Sequence, residues 1–209
     1  FEPVTLLANG AYLLVAHPSL PAGTMKDVIA ISKKRPNEIL YASSGNGSGA
    51  HLATELLNTI TGIKLKHVPY KGGGPALVDT LSGQTQLLFA TPIASAGYVE
   101  AGRLRAIAVS TTKRISSMPN VPTVAESGVP GYDSGVWYGM LAPKGTPREI
   151  VTRLNEEFRK VLNDPGIRNF LTKSGVDPEG STPDELGKYM RSEIAKWTKV
   201  IKTANITLD

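Results

Sequence analysis

The amino-acid sequence predicts an α/β fold with a mostly parallel sheet, and three observations carry that prediction. Residues 39–42 (ILYA) and the run KLKHVPY have strand character, and each leads at once into a glycine-rich loop. Each loop is followed by a helical pattern, AHLATELLNTITG and ALVDTLSG, so strand, loop and helix repeat twice, as in sheets covered by helices. From Thr146 onward the chain changes to amphipathic helices.

Along the chain, residues 4–16 (VTLLANGAYLLVA) hold two apolar runs separated by Asn9-Gly10, which reads as two strands or a strand with a turn. After the proline-rich HPSLPAG, Thr24 is placed to cap a helix through MKDVIAISKK, with Met25, Val28, Ile29 and Ile31 on one face and Pro36 ending it. Leu52, Leu56, Leu57 and Ile60 recur at helical spacing, and Gly62 suits a C-terminal cap. TQLLFATPI, RLRAIAVST and VWYGMLAPKG read as further strands, with MPNVPTVAESGVPGY as loop. TPREIVTRLNEEFRKVLND, PGIRNFLTKSG and TPDELGKYMRSEIAKWTKVIKTA are three helices, two of them opened by Thr-Pro. A domain boundary is expected within residues 134–142.

Composition narrows the function classes. With 209 residues, 41% hydrophobic and 20% charged, the chain can bury a substantial core. It has no cysteine, which removes disulfides, thiolate metal sites and cysteine nucleophiles. The net charge of +5 is spread among acidic residues rather than clustered, so nucleic acid is not an expected partner. No run approaches the ~20 apolar residues of a membrane span, so no direct membrane insertion is expected. Phe1-Glu2-Pro3-Val4 is neither an initiator methionine nor a signal peptide, which suits a processed or truncated chain.

The loop Ser43-Ser44-Gly45-Asn46-Gly47-Ser48-Gly49 joins a strand end to a helix start, where unpaired N–H groups and the helix dipole favour an anion. An ordinary turn with a serine cap fits the same residues. The spacing matches neither a Walker loop nor G-x-G-x-x-G, which argues against nucleotides. Tyr70-Lys71-Gly72-Gly73-Gly74 occupies the equivalent place in the next unit, and two such loops at one carboxyl edge converge on a crevice. There Lys71 is a point charge for a carboxylate or a solvated side chain, and Tyr70 walls the pocket or packs. His51, on the first turn after the serine loop, lines a pocket, bonds locally, or serves Ser44 or Ser48 as the base of a serine hydrolase. No H-E-x-x-H or G-x-S-x-G occurs, so no catalytic residue, metal site or cofactor is assigned.

The segments YASSGNGSGAHLATELL, HVPYKGGGPALVDTLSGQTQLLF, AGRLRAIAVSTTKR, MPNVPTVAESGVPGY, WYGMLAPKGTP and EIAKWTKVIKTANI, in this order, closely resemble the Bug family of extracytoplasmic solute receptors. These receptors serve tripartite tricarboxylate transporters. The resemblance implies a type II periplasmic-binding-protein fold, two lobes with three-layer αβα sheets closing on a small carboxylate held by backbone amides and waters. It implies a periplasmic location, with the ligand and membrane transporter subunits, or a sensor kinase, as partners. Ser43 to Ser48 and Tyr70 to Gly73 match the family's second-lobe contacts, and Ala90-Thr91 matches a third loop. Many relatives have Asp where this chain has Ala90, so a dicarboxylate or aromatic acid is expected over an amino acid. The resemblance assigns residues 1–12 to a crossover from the first lobe, 13–137 to the second lobe and 138–209 to the mainly helical end of the first. The N-terminal part of the first lobe is expected to be missing from this chain. An interaction module without a working ligand site is the remaining reading.

Overall fold

A computed structural model describes residues 1–207. Strand β1 (Glu2–Ala11) runs unbroken through Asn9-Gly10 and is the middle strand of a three-stranded sheet, antiparallel to β7 (Gly135–Ala142) and β8 (Val176–Pro178). The break expected at Asn9-Gly10 is absent because both residues are paired on each side, Asn9 opposite Trp137 and Asp177 and Gly10 opposite Val136 and Val176. Glycine serves close approach here: a Cβ at position 10 would lie 3.0 Å from Val176 Cγ1. The break comes at Tyr12 instead, after which β2 (Leu13–Ala16) enters a second sheet.

That second sheet has the order β4-β3-β5-β2-β6, with β3 (Leu40–Ser43), β4 (Lys66–Pro69), β5 (Leu87–Ala90) and β6 (Arg105–Val109). β3 is parallel to β4 and β5, and β2 is antiparallel to both β5 and β6. β2 is the reversed strand because it arrives directly from the other sheet rather than through a covering helix. Alternation along the strands feeds two cores. Leu14, Tyr41, Leu87 and Phe89 pack with Met25 and Val28 of α1 (Met25–Lys34) and Ala53 and Leu57 of α2 (Gly49–Thr61). Leu13, Val15, Ala42 and Leu88 pack with Ala76 and Leu77 of α3 (Gly73–Leu81) and Val99 of α4 (Pro92–Glu100). Helices thus cover both faces of this sheet. α4 is apolar without one distinct polar face, so its sequence shows no helical period, although Thr91-Pro92 is a readable start.

The remaining helices are α5 (Arg148–Leu162), α6 (Pro165–Lys173) and α7 (Pro183–Thr203). α7 starts as the sequence implies, with Thr182 and Glu185 forming a capping box. At α5 the cap position falls on Pro147, and the Thr146 hydroxyl donates instead to the Pro143 carbonyl at 2.8 Å. α7 spans both sheets. Its first turns pack on β1, where Gly187 lies against Pro3, and its last turns bring Trp197 and Val200 onto the core beside α2.

The chain passes between the sheets at Tyr12 and again before β7, and both passages are fastened to Ser110. Its buried hydroxyl accepts from the Tyr12 N–H at 2.8 Å and donates to the Ser134 carbonyl. Its backbone N–H donates to the Tyr12 carbonyl at 2.9 Å, and its carbonyl accepts from Ser134 N–H at 2.8 Å. Replacing Ser110 by Ala strands one buried N–H and one buried carbonyl, so urea denaturation should show a loss of about 1–3 kcal/mol. An unchanged midpoint would show that the staple is not needed.

Candidate functional site

Three strands of the larger sheet end at one edge, each followed by a helix. β3 ends at Ser43 and reaches α2 through residues 44–48. Gly45 (φ +129°) and Gly47 (φ +70°) hold left-handed backbone there, and a Cβ on Gly45 would lie 3.3 Å from the Tyr70 carbonyl oxygen. Ser48 is the N-cap of α2 and accepts from His51 N–H at 3.4 Å, while its own hydrogen remains to donate. The N–H groups of Gly49 and Ala50 open the helix with no carbonyl of that helix to bond.

β4 leads into Tyr70-Lys71-Gly72, and the two loops are tied by Tyr70 N–H donating to the Ser43 carbonyl at 3.0 Å. The Tyr70 hydroxyl turns to Asp79 on α3 at 2.8 Å, so this ring packs and does not offer its hydroxyl to a ligand. Burial first, and then that carboxylate, push its pKa up to about 12. Gly72 caps α3, and a Cβ on Gly72, Gly73 or Gly74 would meet nothing within 4 Å, so this loop borders open space. Lys71 is exposed, and no ion pair is recorded for it among the described residues. β5 ends at buried Ala90, and Thr91 occupies the cap position of α4.

These ends meet in a cleft of about 210 Å³ that brings together Ser44, Gly73, Ala90 and Thr91 of the expected residues with Tyr12 and Phe89. Ser43 and His51 are buried behind the first loop, which they brace. The His51 ring stacks on His67 at 3.8 Å between centroids, and His67 stacks on Tyr41 at 4.8 Å. His51 Nδ1 accepts from Gly47 N–H at 3.1 Å, and His67 Nε2 lies 2.6 Å from Ser43 Oγ, which also accepts from Gly45 N–H at 3.1 Å. No hydrogen bond joins the His51 ring to the hydroxyl of Ser44 or Ser48 among the described residues, so the nucleophile and base pair of a serine hydrolase is not assembled. Nor do the described residues hold a group of three metal-ligating side chains. Sequence reading missed His67 because its place depends on strand register, Tyr41 standing opposite it across β3 and β4. It missed Tyr12 because only the switch between sheets brings that residue to the edge.

A profile of the tripartite tricarboxylate transporter family receptor matches residues 1–206. The chain belongs to this receptor family. Protein BugT of Bordetella pertussis is 34% identical over 206 residues, covering 99% of this chain and 63% of BugT, so the chain spans less than two thirds of that relative. Among solved structures, R. palustris Rpa4515 with adipate superposes with a TM-score of 0.88 at 40% identity, over 99% of this chain and 69% of that one. MatC (Rpa3494) of Rhodopseudomonas palustris, with bound malate, gives 0.82 at 30% identity, over 96% of this chain and 69% of its own. The α/β architecture with two sheets is thus the fold of the periplasmic receptors, as the sequence implied.

In this member of the tripartite tricarboxylate transporter receptor family, burial disfavours the charged form of both bracing histidines. Burial lowers the pKa of His51, partly offset by the Glu55 carboxylate, and burial together with the neighbouring His51 pushes His67 down to about 4. A folded-state pKa below the unfolded value near 6.5 means the unfolded chain binds the proton more readily. This contribution to stability is therefore complete above about pH 6.5 and is lost as the pH falls toward about 4. Urea midpoints measured across that window should fall with acid, and His67→Phe should start lower yet fall less steeply. Equal slopes would remove His67 from the account.

Proposed function

We propose that the protein is a periplasmic receptor that captures a small carboxylate and delivers it to the membrane subunits of a tripartite tricarboxylate transporter. The observation that carries this reading is the convergence of three strand-to-helix loops, after β3, β4 and β5, on one cleft at the carboxyl edge of the sheet. Helix N-termini and backbone amides there present partial positive charge without a fixed cation, which suits a carboxylate that must be held and released. On this reading residues 13–137 are the lobe that carries these loops, residues 1–12 cross into it, and the described residues from 138 onward belong to the other lobe. Among the described residues no helix is long and apolar enough to cross a membrane.

The ligand class follows from the lining. Leu77, Leu88, Phe89 and Ala90 give the cleft an apolar side, and among the described residues no carboxylate lines it to meet an ammonium group. An unaminated acid, a dicarboxylate or an aromatic carboxylate, fits this wall better than an amino acid. The adipate and malate in the two related structures are acids of that kind.

Calorimetric titration with adipate, malate, benzoate and aspartate should give saturable binding of one or more of the first three, tighter than aspartate, with no product formed. Gly47→Val forces a β-branched residue into left-handed backbone and should abolish measurable binding. Ser48→Ala removes one hydroxyl and should weaken binding roughly tenfold to a hundredfold. Lys71→Ala should change affinity by less than about threefold while reducing its salt dependence. The reverse order of severity would place the anion at Lys71. Steady turnover of any of these acids would overturn the receptor reading.

A further inference from the structure

Tyr12 is the one residue between β1 and β2, and its side chain is aimed by the fold rather than by local preference. Ser110 holds its N–H and its carbonyl at 2.8 Å and 2.9 Å. Its ring meets Phe89 edge-on, with centroids 6.5 Å apart at 68°. Its hydroxyl lies over Gly49, the first residue of α2: a Cβ there would be 2.0 Å from Tyr12 Oη and 3.0 Å from Cζ. Gly49 does not have a positive φ, so its backbone makes no demand for glycine. Alanine would also favour the helix more. What position 49 supplies is space for the phenol.

No partner is recorded for Tyr12 Oη among the described residues, and the ring lines the same cleft as Ser44, Gly73, Ala90 and Thr91. Burial, with a smaller contribution from Tyr138, raises its pKa, so the hydroxyl stays protonated and able to donate. The neighbouring N–H groups of α2 are donors as well. A donor set of amides and a phenol suits an anion that can accept several hydrogen bonds at once.

We propose that Tyr12 is a specificity-determining residue of this site: its hydroxyl donates to one oxygen of the bound carboxylate at the amino end of α2, and Gly49 is the gap that admits it. The assignment rests on the carboxylate-receptor reading. Phe89 and the tyrosine ring supply apolar contact beside the bound group, so the residue recognises a carboxylate carried on a hydrocarbon body.

Adipate is the probe, with binding followed by calorimetry for the unaltered protein, Tyr12→Phe, Gly49→Ala and the double variant. Tyr12→Phe keeps the contact with Phe89 and should weaken adipate binding roughly tenfold to a hundredfold, with the melting midpoint of the ligand-free protein retained. Gly49→Ala should weaken binding by displacing the phenol, and its effect should be smaller in the Tyr12→Phe background, where there is no hydroxyl to displace. Should Tyr12→Phe fail to fold, Gly49→Ala alone decides, and affinity at the unaltered level overturns the inference. Equal or tighter binding by folded Tyr12→Phe also overturns it, showing a spectator or a plug, while leaving the receptor reading intact. If the unaltered protein binds neither adipate nor malate, the receptor reading fails and this inference falls with it.

Discussion

Both passages of the chain between the two sheets are hydrogen-bonded to Ser110, and the placement of the site depends on that junction. One buried side chain satisfies the Tyr12 N–H and the Ser134 carbonyl while its backbone bonds the same two residues. Buried backbone groups at a sheet-to-sheet switch have no ladder to complete them, and a short side chain that both accepts and donates is an economical solution. Because Tyr12 is fixed there, β2 enters the larger sheet against its parallel strands, and the tyrosine ring is delivered to the edge where β3 and β5 end. α7 adds a second link, with one end on β1 and the other on the core beside α2. Gly175 beside Pro92 and Ser116 beside Asp177 add further contacts between the two units.

The candidate site is assembled from neutral donors. Serine hydroxyls, glycine amides and a tyrosine surround the cleft, while the cation nearest to it in sequence, Lys71, is exposed. Neutral donors gain strength where helix N-termini add partial charge and water is partly excluded, without the desolvation cost of burying a full cation. Their weakness is that amides act only if the backbone is held, and the layer behind the loop does this. The stacked rings of His51, His67 and Tyr41 fill the space between α2 and the strands, and their nitrogens fix Gly47 and Ser43. The Tyr41 hydroxyl in turn donates to Glu55 at 2.6 Å. Histidine suits this place because a neutral ring both stacks and accepts, an ability it loses on protonation.

Much of this was legible where the cause is local. Thr24 with Asp27 and Thr182 with Glu185 form capping boxes, Gly62 ends α2 in left-handed backbone, and the serine and glycine loop lies between a strand and a helix. What sequence could not supply is whatever depends on partners brought from elsewhere. Asn9-Gly10 carries a turn signal, but pairing on both sides of β1 outweighs it. α4 is apolar without a period. The histidine stack depends on the register of two parallel strands, and the role of Gly49 is visible only once Tyr12 is seen above it. Tyr70 illustrates the same limit, since the Asp79 carboxylate that takes its hydroxyl lies on the next helix.

The central claim is that a carboxylate is held by backbone amides at the carboxyl edge of the larger sheet. The most direct measurement is an amide-resolved NMR titration of the protein with adipate. The account predicts the largest shifts at the N–H groups of Ser44, Gly49, Ala50 and Gly73, with Gly62 and Gly180, at distant turns, unmoved. Shifts confined instead to the apolar surface around the exposed Tyr138 and Val161, or absent at saturating adipate, would contradict it.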